Sequence, residues 1–150
     1  MRPQFLPAVA IVACILSSAS AEAETSEATL VTASGVHKLE IELADTPQTR
    51  ETGLMNRRDM PSHHGMLFEF GETRPVTMWM KNTLISLDML FLDEKGVVTH
   101  LKERAKPESL DLIPSGGPVR YVLELNGGAA DRYGVKIGDR LHHASIGQKP

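Results

Sequence analysis

The chain has 150 residues, 41% hydrophobic and 23% charged, which fits one globular domain and excludes a disordered tail or a collagen-like chain. A formal charge of −3 leaves no basic surplus to drive sequence-independent nucleic-acid binding. A single cysteine excludes a disulfide framework and any cysteine-rich zinc module.

Met1-Arg2, the apolar run Phe5–Leu16 and the small residues Ser17–Ala21 give the three-part layout of a secretory signal peptide, residues 1–21. The run is too short to span a bilayer comfortably, so no stable membrane insertion is expected after cleavage. An exported, periplasmic or secreted protein follows. Ile11-Val12-Ala13-Cys14 loosely fits a lipoprotein processing site, but the apolar Ile15-Leu16 after the cysteine weighs against anchoring there. Cleavage would remove Cys14 and leave a chain without thiols, suited to an oxidising compartment.

Residues 22–34 are small, acidic and polar, and are expected to form a flexible spacer. A single β-rich domain over 35–148 follows. Leu39, Ile41 and Leu43 alternate with Lys38, Glu40 and Glu42, the period of a strand with one buried face. Thr46-Pro47 has the chemistry of a helix start, and two to three turns would bring Arg50 and Leu54 to one side. Short apolar runs at 66–70, 76–80, 87–92 and 97–103 are separated by turn residues, with Asp93-Glu94-Lys95-Gly96 the best hairpin signal. Prolines 107, 114 and 118 with Gly116-Gly117 predict a loop over 105–118. A strand over 119–125, a short helix around Ala129–Tyr133, a Gly134–Asp139 turn and a strand from Arg140 to Ile146 complete the chain. The expected fold is mainly β (α+β): about seven mostly antiparallel strands, in a sandwich or partly closed barrel, with two short helices.

Arg50, the block Gly53-Leu54-Met55-Asn56-Arg57, Gly65-Met66-Leu67-Phe68, Met78–Thr83 and Leu87-Asp88 resemble domain of unknown function family 192. Ala105-Lys106-Pro107, Val122-Leu123-Glu124 and Ile137-Gly138-Asp139 continue the resemblance in order. Ser86 departs from it, standing where proline is expected. The resemblance implies a compact β-rich fold with small helices, often exported, and no established activity.

The most unusual segment is Met78–Asp88. On a strand, Thr77, Trp79 and Lys81 would face one way and Val76, Met78 and Met80 the other. Asp88 falls on an apolar strand face, where a charge must be paired or neutralised. One reading is a pocket in which Trp79 stacks on a ligand while Lys81, Asn82 and Asp88 orient its polar groups. The structural alternative pairs Lys81 with Asp88, turns Asn82 onto its own backbone and buries Trp79. Arg50 and Arg57, with Arg58 and Arg74, could add a cationic rim for an anionic ligand, or simply pair with surface acids. Met78 and Met80 could hold Cu(I), although methionine more often fills core gaps. Asp88 and Glu124 could act as the paired carboxylates of a hydrolase. The histidines have no zinc spacing and no serine-nucleophile motif occurs, so neither a cofactor nor a catalytic residue is assigned. The favoured reading is a non-enzymatic binding or accessory module for a small polar or anionic ligand, or for a segment of an envelope partner protein.

Overall fold

The computed structural model describes residues 24–148. The expected signal peptide, residues 1–21 with Cys14, lies outside them. In chain order the elements are β1 Thr25–Thr32, β2 Gly35–Ala44, α1 Pro47–Thr52, β3 His64–Met78, β4 Leu87–Leu92, β5 Val98–Ala105, β6 Ile113–Asn126, α2 Ala129–Tyr133 and β7 Arg140–His142.

The strands form one sheet in the order β5-β4-β6-β3-β2-β1-β7, antiparallel throughout except for the parallel pair β2–β3. The sheet curls until its two ends meet. Val97 and Arg140 form a bridge, Val98 donates to the Asp139 carbonyl at 2.8 Å, and Leu141 donates to the Gly96 carbonyl at 2.9 Å. The result is the partly closed, mostly antiparallel barrel expected, with its two short helices.

Several boundaries differ from expectation, each for a physical reason. The supposed spacer holds β1, which pairs with β2 along its whole length. Ala28, Leu30 and Thr32 are its buried positions, so a strand alternation lay hidden among small and polar residues. The runs at 66–70 and 76–78 are one bent strand, β3. Its register with β6 slips between Glu69 and Arg74, where Gly71 takes a φ of 77°. The loop predicted over 105–118 ends sooner, because Pro114 and Pro118 pair with Thr77 and Pro75 within β6. They fall beside a second register slip, where the missing N–H is tolerated. Helix α1 is only six residues long, stopped by Gly53 at φ 47°. Its start is as expected, with Thr46 capping Thr49 and Pro47 in the first turn. The final strand ends at His142 rather than Ile146.

Both faces of the sheet are covered, which is why every residue of β4 is buried. On the inner face Leu67, Leu90, Leu92, Leu123 and Leu125 pack with Leu30, Ile41 and Tyr133. On the other face Met66, Phe68, Met89, Phe91 and Val122 pack under Leu54, Met60, Val76, Met80 and Val119. The bend in β3 makes this second layer possible, since Val76 and Val119 belong to the far half of the β3–β6 ribbon.

Candidate functional site

The second layer is incomplete beside α1. Between α1, the β3 ribbon and the Trp79–Thr83 turn lies a cavity of about 130 Å³. Its walls include Leu54, Phe68, Phe70, Met78 and Trp79; Arg50, Glu51 and Lys81 supply charge, and Glu124 completes the lining.

Glu124 reaches the cavity because β6 lies between β3 and β4, and alternation puts its side chain on the outer face with Val122. Its cross-strand partners are Met66 on β3 and Met89 on β4, both buried and neither able to donate a strong hydrogen bond. The residue is only 4% exposed, and no side-chain hydrogen bond to it exists among the described residues. Burial therefore pushes its carboxyl up from 4.5 to about 8, so the acid holds its proton at neutral pH.

Trp79 follows the end of β3 and is 44% exposed, with one face under the Lys81 ammonium at 5.0 Å from the ring centroid. Met80 then turns inward and is fully buried, pinned by its N–H on the Ser109 carbonyl at 3.1 Å. Arg50 is fixed differently. Its Nη1 donates to the Asp45 and Glu69 carbonyls and its guanidinium lies 5.8 Å from the Phe70 ring centroid. Nη2 and Nε make no hydrogen bond among the described residues.

Three expected site residues lie elsewhere. Asp88 points to the inner face with Leu90 and Leu92, away from Trp79. Its Oδ1 accepts from the Arg104 N–H at 2.7 Å, and its Oδ2 accepts from the Gly128 and Ala130 N–H groups at 2.9 and 2.8 Å. It thus caps α2 from a neighbouring strand. Neither the pocket nor a pair with Lys81 claims it. Asn82 sits at φ 53° in the turn, its carbonyl accepting from the Asn56 N–H and its side-chain amide 4.0 Å from Met55 Sδ. That left-handed position, one that asparagine tolerates, explains the residue without a ligand. Arg57 makes a two-pronged ion pair with Glu42, its Nη2 2.6 Å from Oε2. It lines a neighbouring groove, and its charge is already matched by Glu42.

The four-arginine rim is not assembled. Arg74 pairs loosely with Glu72 and lies over Phe70, Arg58 is exposed, and of the four only Arg50 lines the cavity. The carboxylate pair proposed for hydrolysis is also overturned. Asp88 is opposite Leu125 and Met89 opposite Glu124, so the two acids project from opposite faces of the sheet. Met78 lines the cavity while Met80 is sealed in the core, so these thioethers do not open onto a common space for Cu(I).

Of the residues singled out in the sequence, Trp79, Lys81 and Arg50 line one cavity, and Glu124 lines it with them. Phe68 and Phe70 were not anticipated. The alternation Met66, Phe68, Phe70 on the face shared with Glu124 carries the signal that could have found them.

The family model for domain of unknown function family 192, described as "Uncharacterized ACR", matches residues 29–143. Among solved structures, a protein from Sinorhizobium meliloti 1021 described as a "putative transcription regulator" is 52% identical, with a TM-score of 0.79 over 83% of this chain and 97% of that one. A protein of unknown function from Novosphingobium aromaticivorans DSM 12444 is 35% identical, with a TM-score of 0.77 over 79% of this chain and 85% of that one. No curated protein matches.

Proposed function

The chain belongs to domain of unknown function family 192, and from its own pocket we propose that it is an exported, non-enzymatic module that binds a small polar or anionic ligand. The observation that carries this reading is the convergence of Trp79, Lys81 and Arg50 on a cavity floored by an unpartnered acid. The indole offers a flat apolar face, and the two cations offer an anion its counter-charge. Because Arg50 is already held by two carbonyls, little side-chain entropy is lost when its remaining donors engage.

Size narrows the ligand. A cavity of about 130 Å³ is well below the roughly 300–1,000 Å³ of sites for drug-sized molecules. It fits a small metabolite or one side chain of a partner segment. Asp88 projects from the opposite face of the sheet and cannot act with Glu124 as an acid–base pair, which favours binding over hydrolysis. The description of the Sinorhizobium protein is not carried over, since a net charge of −3 gives no surplus of cations for a phosphate backbone. Export rests on the 1–21 segment and is tested by the mass of the N-terminus in the envelope fraction.

A ligand-observed NMR screen of small carboxylates, phosphates and short peptides tests the pocket. At least one compound should bind, and Trp79→Ala and Lys81→Ala should each weaken it by roughly tenfold, about 1.4 kcal/mol. Unchanged binding in both variants would remove the site from this cavity.

A further inference from the structure

The acid at the floor of the cavity accepts no hydrogen bond among the described residues. Its two flanking strands present Met66 and Met89, and the cavity it faces is lined by Leu54 and Phe68 together with Thr52, Thr77 and Thr83. The charged groups of the cavity besides Glu124 are Arg50, Glu51 and Lys81, contributed by α1 and the Trp79–Thr83 turn. A buried carboxyl in such surroundings is stable as a neutral group, or as an anion that a ligand supplies with charge and donors.

Resting on the reading above, we infer that the ligand is a small zwitterion, an amino-carboxylate whose ammonium docks on Glu124 and whose carboxylate meets Lys81 and Arg50. Two observations weigh against simpler ligands. A bare amine would satisfy the floor, and the rings of Phe68, Phe70 and Trp79 favour a cation, but it would bring a third cation to Lys81 and Arg50, whose acidic neighbour in the lining besides Glu124 is the exposed Glu51. A bare carboxylate would satisfy Lys81 and Arg50 and leave the acid unpaired. Only a molecule bearing both groups answers both parts of the cavity.

The proton balance follows. At neutral pH the empty site holds Glu124 as the neutral acid. When the ammonium arrives with its proton, the carboxyl gives its own proton to solvent and an ammonium–carboxylate pair remains. No other bond forms or breaks. The free ligand and the free protein together carry one more bound proton than the complex.

Isothermal titration at pH 7 of glycine, β-alanine, γ-aminobutyrate and δ-aminovalerate, in two buffers of different ionisation enthalpy, reads both affinity and proton release. Butyrate and butylamine are the single-charge controls. The expected result is one ω-amino acid binding at least tenfold tighter than either control, with close to one proton released per ligand. Glu124→Gln should abolish the release and the advantage over butyrate. Lys81→Ala should abolish the advantage over butylamine, and circular dichroism checks that both variants are folded. If butyrate binds as well as the amino acids and Trp79→Ala weakens it, the zwitterion is wrong while the pocket stands. If no compound of the set binds, the zwitterion is also wrong.

Discussion

Two buried acids on adjacent strands show how one residue type takes opposite roles. Asp88 accepts three backbone N–H groups and is consumed by the fold. Glu124 accepts none among the described residues and faces a cavity. Replacing Asp88 by asparagine puts an amide donor against N–H donors, and the lost bonds should cost about 3 kcal/mol in urea unfolding. Ligand binding by the folded fraction should be unaffected. Glu124 behaves differently, and its effect depends on pH. Below about pH 4.5 the folded and unfolded chains both hold the proton, so the group is neutral to stability. As pH rises toward 8 the unfolded chain ionises while the folded chain keeps its proton, and the folded state loses stability. Above about 8 the penalty levels off, at an order of a few kcal/mol. Glu124→Gln should therefore gain on the natural protein between pH 5 and 8, read as a flatter profile of unfolding free energy against pH.

At the level of elements, turn chemistry was the most legible part of the sequence. The Thr46-Pro47 start, the Asp93–Gly96 hairpin and the Gly134–Asp139 turn all form as their residues dictate. Asp93 Oδ1 accepts from the Lys95 and Val97 N–H groups at 2.8 and 2.9 Å, and Gly96 takes a φ of 77°. What alternation alone does not encode is which strand pairs with which. The parallel β2–β3 pair and the β1 strand arise from tertiary pairing that supplies Ala28, Leu30 and Thr32 with a core. Ser86, where proline was expected, hydrogen-bonds the Ala105 carbonyl at 3.2 Å while its own carbonyl accepts from Gly127. The hairpin also closes the barrel. A Cβ on Gly96 would lie 2.4 Å from the Leu141 carbonyl oxygen, on a backbone that L-residues avoid. Gly96→Ala should thus cost about 2 kcal/mol or more and expose the β7 amides to hydrogen exchange before those of β6.

For the whole molecule, the architecture was readable and the site only in outline. Trp79 and Lys81 stand out in the sequence as an indole beside a cation, and Arg50 as one of four arginines of a possible rim; the three line one cavity. Asp88 was misassigned because periodicity gives a face and not a neighbour; its partners lie 16, 40 and 42 residues away. The sequence offers Glu124 only as a partner for Asp88 in a carboxylate pair, and its position between Met66 and Met89 emerges from the strand pairing. The curled sheet buries both faces of its centre, and an acid-floored opening remains in the outer layer. Its chemistry rests on the protonation of a single carboxyl. The most direct measurement is a ¹³C NMR titration of the Glu124 side-chain carboxyl in the ligand-free protein. A midpoint near 8 is expected. A midpoint at the ordinary carboxylate value, near 4.5, would mean that solvent or a hidden partner already satisfies the acid.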